Sequence, residues 1–168
     1  ASPSVMIPCC TPVGDALKQN GGRPCLTGLH GSTAGFALAQ LMHPSSGQLG
    51  SRPWLIVAKS DDAAARLFDD LRFYHDLSGL PETPLALFPR WETLPYETTA
   101  PHVGLIARRM NALHQIRTLP AAKVVTSIDA LMQRLMPVET FARTMLTFKV
   151  GAAIEREALT AGLLRLGY

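Results

Sequence analysis

A chain of 168 residues can bury one ordinary hydrophobic core and begin a second, but it has no room for two domains of full size. Charged residues make up 17% of it and hydrophobic ones 47%, so more apolar surface than a free-standing domain carries is expected to face a partner. The net charge of +3 comes without clustered lysine or arginine, which argues against an autonomous nucleic-acid binder.

Cys9, Cys10 and Cys25 are odd in number and have no Cys-x-x-Cys or metal-ligand spacing, so a reducing cytoplasm is the simplest compartment to expect. No run of about 18 apolar residues and no charged start leading into an apolar stretch is present, so neither a membrane span nor a signal peptide is expected. A start at Ala1 and a stop at Tyr168 just after an amphipathic run are expected of a piece of a longer protein.

The first ten residues read as poorly held. Thr11-Pro12 offers a helix start, the hydroxyl as cap and the proline at the first helical position, for a helix to about Gln19 that Asn20-Gly21-Gly22 ends. Cys25-Leu26-Thr27 predicts a short buried strand, Gly28 to Gly35 a glycine-rich turn, and the residues to about Met42 a helix. His43 to Gly50 has the composition of a surface loop.

That strand, turn and helix would frame a phosphate-binding loop. Such a loop reads Gly-x-x-x-x-Gly-Lys-Ser/Thr, with backbone N–H groups cradling phosphate, lysine neutralising it and the hydroxyl holding magnesium. With Gly28 as the loop's first glycine and Gly31 inside its variable run, Ala34 stands where the lysine belongs and Gly35 where the hydroxyl belongs. A helix N-terminus alone favours an anion by only ~0.3–1 kcal/mol. The loop therefore reads as degenerate, a structural turn in preference to a weak anion site, with Ser32 and Thr33 as helix caps.

Trp54 to Ala58 is a continuous apolar run, as a parallel strand covered on both faces should be. Ser60-Asp61-Asp62 supplies cap and first-turn acids to a helix whose Ala64, Leu67, Phe68, Leu71 and Tyr74 or His75 share one face, while Arg66, Asp69, Asp70 and Arg72 are solvated. Neighbouring His75 and Asp76 do not face each other on a helix and lack a nucleophile. Pro84 to Phe88 is the next strand, and it delivers the chain into Arg90-Trp91-Glu92-Thr93-Leu94-Pro95-Tyr96-Glu97, a rigid loop fixed by Pro95 and by an aromatic near each end.

Ile106, Met110, Leu113 and Ile116 or Arg117 place a helix from about His102 to Arg117. Arg109 is expected to tie it to a carboxylate such as Glu92 or Glu97. His102 and His114 read as cap or surface residues, without a companion at metal spacing. After Thr118-Leu119-Pro120 comes a strand at Lys123 to Thr126, then a short helix capped by Ser127 and Asp129 and containing Leu131 and Leu135. Met136-Pro137 is the expected domain boundary. Met145 to Val150 predicts a strand, Gly151 a turn, and Ile154 to Leu166 a helix with Leu159, Leu163 and Leu166 on one side.

Trp91-Glu92-Thr93-Leu94-Pro95-Tyr96-Glu97, with His102, Arg109, Leu113 and Ile116, resembles the N-terminal region of the bacterial transcription-repair coupling factors (Mfd). Phe148-Lys149-Val150-Gly151, with Ile154, Arg156, Leu159 and Gly167-Tyr168, is similar to a segment which that family shares with UvrB, the helicase-like subunit of excision repair. The resemblance implies a parallel-sheet, UvrB/helicase-like α/β domain over residues 1–136. It implies the start of a second α+β domain over 137–168, which the family uses to contact UvrA.

It implies no catalytic, metal or cofactor residue here, since ATP and magnesium belong to motor domains elsewhere in the family's proteins. Expected partners are UvrA, through the second domain once complete, the remainder of Mfd with its motor domains and, through other parts, RNA polymerase and DNA. Trp91, Glu92, Leu94, Pro95, Tyr96 and Arg109 are the interaction candidates. Two alternatives stay open: a nucleotide-binding domain built on Gly28 to Gly35, and a nucleic-acid clamp using Trp91 and Tyr96 with Arg90, Arg108 and Arg109. Against the clamp, the passage from Tyr96 through Pro101 into helix leaves no room for the long aromatic hairpin of UvrB.

Overall fold

The computed structural model describes residues 11–18, 23–78, 84–92, 101–146, 148–151 and 153–166. They fall into two compact units, one within residues 1–133 and one within 134–168. Three expectations lie outside the described residues: the poorly held opening, the Asn20-Gly21-Gly22 stop and the course of the chain through Leu94, Pro95 and Tyr96.

The first unit is an α/β layer structure around a three-stranded parallel sheet of order β1-β3-β2, formed by β1 (Trp54–Ala58), β2 (Leu85–Phe88) and β3 (Lys123–Ser127). Helix α3 (Asp61–Leu77) joins β1 to β2, and α4 (Val103–Thr118) joins β2 to β3. Because the chain crosses the sheet one way and then returns, the two connecting helices cover opposite faces.

On the α3 side Ile56 and Val125 pack with Ala64 and Leu71, backed by Leu67, Phe68, Leu85 and Leu87. On the other side Ala86, Phe88 and Val124 pack with Ala112 of α4 and with Ala130 of α5 (Ile128–Leu131). Helix α2 (Thr33–Met42) lies on the α3 side, and its Ala37 and Leu41 form a further cluster with Leu49, against which Val13 and Leu17 of α1 (Thr11–Lys18) pack.

Several expectations are corrected. Strand β1 is covered on one face only: Trp54, Ile56 and Ala58 point to α2 and α3, while Leu55 and Val57 are exposed on the side where α4 spans only β2 and β3. An apolar run specifies a strand without specifying how many neighbours it has. Cys25-Leu26-Thr27 is exposed and forms no strand, having neither a ladder partner nor a core to point into. The expected surface loop after α2 is a kinked 3-10 segment, Pro44–Leu49, that buries Ser46 and Leu49 and accepts a 2.9 Å bond from Trp54 Nε1 at the Leu49 carbonyl. Gly50 follows because its backbone passes so close to the His43 carbonyl that a Cβ would stand 2.3 Å from that oxygen.

Helix α4 is rotated from the expected stripe. Arg109 and Ala112 are its buried residues, and Ile116 is exposed. Helix α5 ends at Leu131, so Leu135 lies beyond it. Among its described residues the second unit holds two helices, α6 (Val138–Thr144), which hydrophobic spacing did not reveal, and α7 (Arg156–Leu166). Its expected strand from Met145 to Val150 is absent among the described residues, Phe148 and Val150 being exposed with no strand to pair with. Gly151 does turn the chain, at φ 83°.

Candidate functional site

In open parallel sheets the loops at the carboxyl ends of the strands form the natural place for a site. Here β2 runs out at Phe88 into Pro89-Arg90-Trp91-Glu92, β3 into Ser127, and β1 through Lys59 and Ser60 into α3. The side chain that organises this end is Arg109, which projects from α4 and is only 2% exposed.

Its guanidinium lies 4.1 Å from the centroid of the Phe88 ring and 4.3 Å from that of Trp91. Both rings offer a negative π face to the cation, an attraction that strengthens as water is excluded. The same group donates through Nη1 to the Pro89 carbonyl and, at 3.2 Å, to Gln133 Oε1. Gln133 then holds Trp91 by the backbone, accepting from its N–H at 2.7 Å and donating through Nε2 to its carbonyl at 3.4 Å. Burial pulls the Arg109 pKa well below the ordinary arginine value, to about 10, with the charge of Asp61 working in the opposite sense.

Of the two carboxylates expected to tie Arg109, Glu97 lies outside the described residues and Glu92 is corrected. Glu92 is exposed, and the carboxylate that Arg109 senses is Asp61, at the first position of α3. Asp61 binds Arg90 at 2.7 Å and accepts from Ser127 Oγ at 2.5 Å. Ser127 also caps α5 by accepting from the Ala130 N–H at 3.1 Å, and Thr126 Oγ1 donates to the Phe88 carbonyl at 2.8 Å. All three strand ends are thus joined to the loop that follows β2.

Of the residues picked out by sequence, the structure brings Trp91 and Arg109 together and leaves Glu92 facing solvent; Leu94, Pro95 and Tyr96 lie outside the described residues. It adds Gln133 and Asp61. Gln133 lies 42 residues from Trp91, and a lone glutamine carries no spacing signal, whereas Asp61 was read only as a first-turn acid. His102 is a cap, its Nδ1 accepting from the Gly104 N–H at 3.1 Å.

Around the glycine-rich turn, Gly28 and Gly31 adopt φ of 78° and 59°. Ser32 precedes α2 without capping it, its hydroxyl being 3.0 Å from that of Tyr74, and Thr33 Oγ1 donates back to the His30 carbonyl at 2.6 Å. Both departures correct the capping expectation. Gly35 is buried where α2 crosses α3, and a Cβ there would stand 2.6 Å from Asp70 Cβ.

His75 Nδ1 and the Asp76 carboxylate are 4.0 Å apart on the exposed end of α3, closer than their adjacency on a helix led us to expect. Among the described residues no group of three or more His, Cys, Asp or Glu side chains could hold a metal ion. None of the described helices is long and apolar enough to cross a membrane.

Fold and site together define a parallel-sheet α/β domain whose carboxyl edge is tied shut by its own side chains. The chain is 31% identical over 98 residues to the transcription-repair-coupling factor of Escherichia coli K12, covering 58% of this chain and 8% of that protein. It is 34% identical over 98 residues to that of Haemophilus influenzae, covering 58% and 9%, and 30% identical over 172 residues to that of Myxococcus xanthus, covering 92% and 14%. The chain belongs to the transcription-repair-coupling factor family and corresponds to its N-terminal region. It spans 8 to 14% of the length of these relatives. No family model matches it, and no solved structure does.

Proposed function

We propose that the chain serves transcription-coupled nucleotide excision repair as a UvrB-like scaffold that recruits UvrA and regulates the rest of its protein, without hydrolysing ATP itself. In this reading ATP, magnesium, DNA and RNA polymerase are engaged by other parts of an Mfd-type translocase working in the cytoplasm. Residues 1–136 form the scaffold, and residues 137–168 begin the UvrA-contacting domain. Trp91 and Arg109 act by fixing the start of the family loop at Pro89 to Trp91, and Leu94, Pro95 and Tyr96 are its further interaction residues.

The observation that carries the reading is the packing at Gly35. The position where a phosphate-binding loop needs a magnesium-holding hydroxyl has no space for even a methyl group, because the Cβ of Asp70 fills it. Ala34 supplies no ammonium one residue earlier. The position is used for a helix crossing and has an acid beside it, an arrangement that disfavours phosphate.

A nucleic-acid clamp is the weaker reading, since the Arg109 guanidinium is buried and one face of Trp91 is already taken by it. Two titrations test the proposal. Labelled UvrA should bind saturably once the chain is extended through the whole second domain, and magnesium-ATP should leave the melting temperature of the present chain unchanged. A ligand-dependent rise in melting temperature, which tight binding must cause by mass action, would overturn the nucleotide-free assignment, and absence of UvrA binding by the extended chain would overturn recruitment.

A further inference from the structure

We propose that the outer edge of β2 is a docking groove for an extended peptide of a partner protein, which adds to the sheet as a strand and alternates apolar with acidic side chains. Among the described residues β2 has a neighbour in the sheet on one side only. The Pro84 carbonyl accepts from the Lys123 N–H at 2.9 Å and the Phe88 carbonyl accepts from Thr126 Oγ1, so both face β3. Peptide groups alternate along a strand, and Leu85 and Leu87 therefore turn their N–H and C=O groups to the free edge. None of these four groups has a partner among the described residues, although both leucines are half-buried.

The edge lies at the bottom of a groove with α3 as one wall and α4 as the other, opening into hollows of about 630 and 360 Å³ that share Phe68, Arg72 and Leu85. On the α4 wall Gln115 Oε1 is buried without a hydrogen-bond partner. Unmet backbone and side-chain groups beside apolar walls call for a ligand that brings its own peptide hydrogen bonds. An added strand sits about 4.7–4.9 Å from β2, between the two helices, whereas a helix would leave the leucine amides unmet.

Side chains of such a strand would alternate between the two walls. Those toward α3 meet Phe68, and those toward α4 meet Arg108. In the hollow that reaches Leu85, Ala86 and Leu87, Arg72 and Arg108 have no ion pair among the described residues and stand against one acid, Asp69; Asp76 lines the other hollow, 4.0 Å from His75. The excess of positive charge selects acidic side chains. Pro89 has no N–H and its carbonyl is taken by Arg109, so the pairing edge ends after Leu87.

The test uses the whole chain and a short fluorescein-labelled synthetic peptide that alternates valine and glutamate. Its anisotropy should rise saturably. N-methylation of the alternate residues that face β2, or lysine in place of glutamate, should weaken binding at least about tenfold. Arg108→Glu, an exposed change checked for folding by its melting temperature, should reverse the preference between the glutamate and lysine peptides. In hydrogen exchange the Leu85 and Leu87 amides should be unprotected in the free chain and protected by the peptide. No saturation at about 1 mM peptide, or affinity indifferent to N-methylation, would overturn the proposal. So would concentration-dependent protection of the same amides without peptide, which would assign the groove to a second copy of the chain.

Discussion

Arg109 joins a helix, two aromatic rings and a loop through one buried cation, and its geometry makes the substitution by lysine far from conservative. A lysine ammonium has neither the flat surface that fits between Phe88 and Trp91 nor the fork that reaches both the Pro89 carbonyl and Gln133. Arg109→Lys is expected to cost about 2–4 kcal/mol in urea unfolding, from the lost ring contacts and from carbonyl groups left without a donor. In a Trp54→Phe background, where Trp91 is the one tryptophan left, its fluorescence should shift to the red as the loop loosens. An unchanged spectrum would mean that Gln133 holds Trp91 alone. Gly35 is the second residue whose role is set by neighbours. Restoring the phosphate-loop chemistry with Ala34→Lys and Gly35→Ser together should lower the melting temperature, since overpacking costs about 1–3 kcal/mol, and should give no added response to magnesium-ATP.

Elements were legible where the local pattern alone specifies them. The runs at Trp54 and Lys123 and the Ser60-Asp61-Asp62 start of α3 became strands and helix where expected, and Ser60 accepts from the Ala63 N–H at 3.3 Å. What failed depended on partners distant in sequence. Leu55 and Val57 read as core but lack a covering helix, the Met145 strand has no ladder, and α6 is a short helix whose one buried residue, Phe141, gives no repeating stripe. Arg109 was legible as a family residue, yet its partners Phe88, Gln133 and Asp61 come from three separate elements. The two serines before α2 and α3 give the difference a measurable form. Ser60→Ala removes a true cap and should destabilise by about 1 kcal/mol, whereas Ser32→Ala removes only a surface contact to Tyr74 and should stay within about 0.5 kcal/mol. Equal losses in matched urea titrations would contradict the distinction.

At the scale of the whole molecule, the charge most at odds with its surroundings is Lys123, the first residue of the central strand β3. It is 3% exposed, and its Nζ donates to the Gly50 and Ala121 carbonyls at 3.3 and 3.4 Å, with no carboxylate bound to it among the described residues. Burial lowers its pKa from 10.5. Below that depressed value the folded state bears the cost of burying the ammonium. As pH rises through the depressed folded value, the native lysine loses its proton before the unfolded one does, so the unfolded chain binds more protons and stability rises until pH passes 10.5. Arg109 begins to act in the same sense only from about pH 10. Lys123→Met keeps the volume, gives up two long hydrogen bonds and the buried charge, and should change stability at pH 7 by no more than about 1 kcal/mol. Its urea midpoint should lack the alkaline gain that Lys123 gives the parent chain, Arg109 being common to both. Tyrosines and exposed lysines act alike in both proteins and cancel in the difference. Parallel pH profiles for the two would mean that the ammonium is solvated through the small cavity it lines with His43 and His75, and that the sheet carries no buried charge at its centre.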